Sequence, residues 1–180
     1  VWESMCNMSH VLNTSSLFKD RLAGSMNAVR EAWNLKPNEI NDDPLWGCYT
    51  IQLPPTEVQA VVDKEPHAYL ILINTPRESV IAGDPAACLR IIEKLGEKPT
   101  PIPVTDVVHC DPVKTEYAEI KRVHTDKVIE RPEIDFYSAI DYEISKLDSK
   151  TLAHNIATIY GKTVDYSRLI NKVYHDGARI

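Results

Sequence analysis

The chain has 180 residues, 43% of them hydrophobic, enough for one medium-sized core or two small ones and too apolar for disorder. Its formal net charge of −6, with no block of Lys or Arg, speaks against a nucleic-acid partner held through phosphates and against an anionic membrane surface. No apolar run approaches the ~20 residues that span a bilayer and no basic-then-apolar leader opens the sequence, so a cytoplasmic protein is expected.

In chain order, Leu22, Met26, Val29 and Trp33 first fall on one helical stripe, followed by the polar, proline-bearing linker of residues 34–44. "CYTIQL" (48–53), bounded by Gly47 and Pro54-Pro55, reads as a strand, and "TEVQAVVDK" sets Val58, Val61 and Val62 at helical spacing. "HAYLILIN" (67–74) and "SVIAGD" (79–84) form a hairpin about the turn "NTPRE". Then comes a strong helix signal, with Asp84 as N-cap, Pro85 at the first helical position, a stripe of Cys88, Ile91, Ile92 and Leu95, and a closing Gly96. "TPIPV" (100–104) reads as an edge strand, because alternate prolines cannot donate ladder hydrogen bonds. The pattern is βαββαβ, a ferredoxin-like unit of four strands with two helices on one face.

Beyond it, Asp111-Pro112 starts a helix carrying Val113, Tyr117 and Ile120, and "IDFYSAI" (134–140) reads as a strand. Asp148 caps a helix with Leu152, Ile156 and Ile159, and a last helix carries Leu169, Ile170 and Val173. The expected class is therefore α/β (α+β), with a small subdomain at 47–104 inserted into a larger body contributed by 1–46 and 105–180. Val1 at the start and the ending "HDGARI" suggest a fragment of that body.

The four cysteines, Cys6, Cys48, Cys88 and Cys110, form no C-x-x-C pair, so free thiols are expected. The stretch "VVHCDP" (107–112) sets His109 beside Cys110. In extended chain the two side chains point to opposite faces, which argues against a thiol and base dyad. No other histidine (His10, His67, His124, His154, His175) stands at ligand spacing to another, so no metal site is expected. A buried imidazole satisfied by a backbone carbonyl and a catalytic base both remain open; the second gains from a position at a strand end just before an Asp-Pro helix start.

"INTPRESVIAGDPAACLRIIEKLG", followed by "VVHCDPV", resembles the acyltransferase domain of polyketide and fatty acid synthases, where an "N-x-P-x-x-x-V-(I/V)-(A/S)-G-(D/N)" stretch precedes an "F-H-S-P" motif. The flanking "SSLFKDRLAGSMNAVREAW" and "IDFYSAI…TVDYSRLINKVYHDGARI" are most similar to the branch from polyunsaturated fatty acid synthases. The resemblance implies a two-step transfer of an acyl group, of malonyl type, from acyl-CoA to the phosphopantetheine thiol of an acyl carrier protein, within a multidomain synthase and with no bound cofactor. A serine on a G-x-S-x-G elbow would be the nucleophile and His109 the base, with Cys110 standing where the family often has serine. The malonyl-binding arginine of the family would correspond to Arg21, although "R-L-A-G-S-M" departs from the usual "R-G-x-x-M"; Arg30 is a weaker match. The Asn or Gln that precedes a late strand in the family has no direct counterpart in "TIYGKTVDY", and Asn155 lies one turn earlier.

No two of the six glycines stand four residues apart, so the chain contains no G-x-S-x-G. The expectation is that the nucleophile lies upstream and that these 180 residues alone do not transfer acyl groups. A non-catalytic module docking a carrier protein or a synthase domain is the alternative, and a free-standing small-ligand sensor is a third.

Overall fold

The structure is a computed structural model that describes residues 9–11, 13–36, 44–125 and 133–179. Cys6 and the middle of the 34–44 linker lie outside the described residues.

The β-branched and aromatic runs of the central region become strands β1 (Gly47–Ile51), β2 (Ala68–Thr75) and β3 (Glu78–Gly83). With β4 (Pro101–Ile102) and β5 (Val164–Asp165) they form one sheet of order β4-β1-β3-β2-β5. The first four run antiparallel to their neighbours, and the proline-bearing β4 sits at an edge, where a missing N–H does no harm. Helix α2 (Pro55–Val62) joins β1 to β2, and α3 (Pro85–Lys94) joins β3 to β4, giving the βαββαβ order of the sequence pattern. The fifth strand comes from the far end of the chain and pairs parallel with β2, Leu72 opposite Val164.

Near-continuous apolar strands mean a sheet buried on both faces, and this one is. Ile51, Leu70 and Ile81 belong to a core under α2 and α3, where they join Val58, Val62, Cys88, Ile91 and Ile92. Cys48, Ile71, Val80 and Ala82 belong to a second core closed by Val29, Trp33, Val107 and Val113. Plain alternation along β1 and β3 sends neighbouring residues to the two cores, and β2 adds a bulge: Leu70 opposes Ile81 and Leu72 opposes Val80, leaving Ile71 as the extra residue. Helix α3 is capped as its sequence dictates, Asp84 accepting from the Ala87 amide at 2.9 Å, and stops at Gly96 in the left-handed region (φ +70).

Two expectations fail on local backbone chemistry. The stripe Leu22-Met26-Val29-Trp33 is not one helix: a π-helical turn at Leu17–Arg21 ends before Gly24 (φ +54) and Met26 (φ +50), and only then does α1 (Asn27–Ala32) begin. Leu22, Val29 and Trp33 are buried nonetheless, so the periodicity located the core and missed the break. Residues 134–140 form no strand. Among the described residues their one bridge is Tyr137 with Ile144, and the segment folds back on itself through Ser138 N–H to Glu143 and Tyr142 N–H to Ser138, with Tyr142 at φ +65. Ile134 and Phe136, which the pattern would bury, stay exposed.

The C-terminal part runs through a 3₁₀ segment (Asp111–Glu116) into α4 (Tyr117–Val123), then α5 (Ser149–Tyr160), β5 and α6 (Tyr166–His175). Asp148 caps α5 by accepting from the Thr151 amide at 2.9 Å. No helix among the described residues is long and apolar enough to cross a membrane.

Candidate active site

His109 does not stand at a strand end as the sequence pattern suggests; it lies in the irregular stretch between β4, which ends at Ile102, and the 3₁₀ segment that starts at Asp111. Two anchors fix that passage: the Val107 amide donates to the Leu22 carbonyl (2.8 Å), and the His109 amide donates to the Tyr160 carbonyl (2.6 Å). His109 itself is not extended; its φ of +60 puts it in the left-handed region, which a side-chain-bearing residue adopts only when its surroundings dictate it. The extended-chain argument against a His109–Cys110 dyad therefore fails on its premise. What disposes of the dyad is the thiol: Cys110 is buried in the core, and desolvation pushes its pKa up to about 12, so it stays protonated and unreactive.

The ring of His109 is oriented by main chain. Its Nδ1 lies 2.7 Å from the Ile159 carbonyl, and since a carbonyl only accepts, Nδ1 carries the hydrogen and Nε2 is left with its lone pair. Burial pushes the His109 pKa below the usual value of 6.5, outweighing the carbonyl's opposite pull. The result is a neutral imidazole with a fixed tautomer. Ile159 and Tyr160 close α5, whose last carbonyls have no partner within the helix, so His109 satisfies two of them, one with its amide and one with its ring.

His109 lines a cleft of about 230 Å³ whose wall includes Val62, Ala68, Leu70, Asp63 and Asp111. Thr163 stitches the cleft's two sides together by donating to the Leu70 carbonyl at 2.6 Å. A larger neighbouring cleft, about 500 Å³, shares Asp111, Gly161 and Thr163 with it and adds Lys114, Tyr117 and Lys162.

The other sequence-derived candidates lie in settings of their own. Arg21 donates Nε to Glu116 (3.0 Å), Nη2 to Glu31 (2.8 Å) and to Glu116 (2.5 Å), and Nη1 to Glu31. These bonds raise the arginine pKa further and hold the Glu31 carboxyl below the usual range. Arg30 is buried and donates Nε to the Ser25 carbonyl at 2.8 Å. Asn155 donates to the Ser145 hydroxyl at 3.0 Å. The group that orients His109 is thus the carbonyl of Ile159, which sequence reasoning could not single out because a main-chain oxygen has no residue-type signature. Among the described residues, no three His, Cys, Asp or Glu side chains come together to hold a metal ion.

No family model matches the chain. Its sequence is 23% identical over 175 residues to one of the subunits that make up the polyunsaturated fatty acid synthase of Thraustochytrium sp., an alignment covering 91% of this chain and 8% of that protein. Its structure matches the acyltransferase domain from module 8 of the salinomycin polyketide synthase with a TM-score of 0.67 at 18% identity, covering 97% of this chain and 36% of that one. The fold is that of an acyltransferase domain. A malonyl-transacylase solved in complex with its type II polyketide synthase acyl-carrier protein shares this acyltransferase-domain fold, with a TM-score of 0.62 at 17% identity over 84% of this chain and 49% of the other. The chain spans less than half the length of these two solved acyltransferases and a small fraction of the Thraustochytrium synthase protein.

Proposed function

We propose that this chain is part of an acyltransferase that moves an acyl group from coenzyme A to the phosphopantetheine thiol of an acyl carrier protein, in a polyunsaturated fatty acid or polyketide synthase of the cytoplasm. Residues 47–104 form its ferredoxin-like small subdomain, and 1–46 and 105–180 belong to its larger body. The observation that carries the reading is the state of His109: neutral, held through Nδ1 by the Ile159 carbonyl, with Nε2 available and the residue lining a cleft. The fold shared with acyltransferase domains supports it.

In this reading Nε2 of His109 takes the proton of a serine hydroxyl as the serine oxygen attacks the thioester carbonyl. The carbon–sulfur bond breaks, coenzyme A leaves as the thiol with the proton returned by His109, and an acyl-serine ester remains. In the second step His109 takes the proton of the carrier thiol, sulfur attacks the ester, and the serine oxygen leaves with that proton. The 180 residues hold no G-x-S-x-G, so the serine comes from protein outside them.

The test is His109→Ala in the complete protein, read as carrier-protein acylation by mass spectrometry. A loss of 10²- to 10⁴-fold is expected for removal of a general base. Near-full activity in a folded variant would instead favour a docking module, in which binding of the carrier protein is indifferent to His109.

A further inference from the structure

We propose that Tyr69 is a substrate-binding residue, whose phenolic O–H donates a hydrogen bond to a carbonyl oxygen of the acyl thioester that reaches His109. The inference rests on the acyl-transfer reading and adds to it a contact made from β2. Thioesters of coenzyme A and of phosphopantetheine alike present neutral carbonyl acceptors, one at the reacting centre and others at the amides of the pantetheine arm.

Tyr69 lines the same cleft as His109. Its Oη accepts a hydrogen bond from Nε1 of Trp33 at 2.9 Å, and among the described residues its own O–H meets no acceptor. An indole N–H only donates, so the direction of that bond is fixed and the phenolic proton is turned elsewhere. A hydroxyl that accepts one hydrogen bond also donates the next more strongly. The Asp111 carboxylate, which shares the cleft wall, makes its ion pair with Lys114, at 2.7 Å.

The phenol is also held in place before any substrate arrives. Trp33 is buried directly after α1 and stacks on Trp46 (6.1 Å between ring centres) and on His67 (4.6 Å), while Trp46 stacks in turn on Tyr69 (6.1 Å). Those ring faces would pack as well against phenylalanine. The hydroxyl adds a desolvation cost that the Trp33 bond offsets only on the acceptor side. Burial pushes the Tyr69 pKa up from its usual value, so the phenol keeps its proton through the neutral range. A fixed neutral donor suits a carbonyl acceptor, and its bond strengthens as negative charge develops on that oxygen.

The deciding experiment is Tyr69→Phe in the complete protein, which keeps the ring stack and removes the O–H. Acyl-enzyme formation is timed by intact-protein mass spectrometry with acetyl-CoA, hexanoyl-CoA and malonyl-CoA, so that the hydroxyl is assessed apart from the nature of the acyl group. A loss of about tenfold or more in kcat/KM is expected for every ester that loads. A fall in kcat places the bond at the reacting carbonyl, and a rise in KM alone places it on an amide of the arm. Unchanged kcat and KM in the folded variant overturn the proposal and leave acyl transfer standing. Should Tyr69→Phe not fold, difluorotyrosine at position 69 takes its place. Its phenol ionises at lower pH, so the alkaline limb of the kcat/KM profile should move to lower pH; a limb that stays in place shows a phenol that only braces Trp33 and overturns the proposal. Loading of the unaltered protein from none of the three esters overturns the acyl-transfer reading and this inference with it.

Discussion

A histidine that is to accept a proton must be neutral when its substrate arrives, and the surroundings of His109 see to that. Desolvation lowers its pKa below 6.5, so the ring stays neutral in solutions acidic enough to protonate an ordinary histidine. In a pH–rate profile of the complete protein, the acid limb of kcat/KM should accordingly lie below pH 6.5; a limb well above that value contradicts the assignment. The same shift bears on stability with a definite sign. Between the folded pKa and 6.5 the unfolded chain binds more protons at this residue than the folded one, so its contribution rises with pH through that window and is flat above it. Cys110, one residue away, shows the opposite outcome of the same cause: burial leaves it protonated, and alkylating reagents should pass it by in the folded state.

At the scale of elements, two glycines separate backbone strain from crowding. Gly83 closes β3 at φ +148, and a Cβ there would lie 2.1 Å from the His67 carbonyl oxygen, a main-chain atom that cannot yield without tearing the β2–β3 ladder. Gly96 ends α3 at φ +70 with nothing within 4 Å of a Cβ. Gly96→Ala should cost about 1 kcal/mol, the left-handed penalty alone, whereas Gly83→Ala should cost more than about 3 kcal/mol or prevent folding. Equal midpoints for the two in a urea titration would show that the β3 end is laxer than described. The same elements show what a sequence can and cannot reveal. Helix α3 was legible from Asp84 to Gly96 because cap, stripe and stop act within a dozen residues. The break at Gly24 and Met26 was not, since it depends on Leu22 meeting Val107 across 85 positions. Residues 134–140 have the alternation of a strand, yet among the described residues no neighbouring strand offers them a ladder, and alternation alone does not provide one.

At the scale of the whole molecule, the sheet takes its fifth strand from the C-terminal part of the chain. Val164 and Asp165 pair with β2 from more than ninety residues away, and Thr163 bonds to Leu70, so the small βαββαβ layer and the C-terminal helices form one continuous packed structure. That continuity predicts that the sheet and the C-terminal helices unfold together, in one cooperative transition. It does not predict catalysis, because a base without a nucleophile cannot hold an acyl group. The isolated chain incubated with acyl-CoA should therefore show no acyl-enzyme by mass spectrometry; an adduct on any of its serines would refute that.

The carbonyl of Ile159 sets the tilt of the His109 ring, and it belongs to the peptide backbone. No point substitution at position 159 can delete it, so this half of the site is sheltered from the commonest kind of genetic change. A gain or loss of one codon within α5 is another matter: each residue added to a helix turns its downstream end by about 100° and advances it by about 1.5 Å. Such an indel would swing the acceptor away from the imidazole. Drift in side-chain identity along α5 is thus tolerable to the site in a way that drift in its length is not.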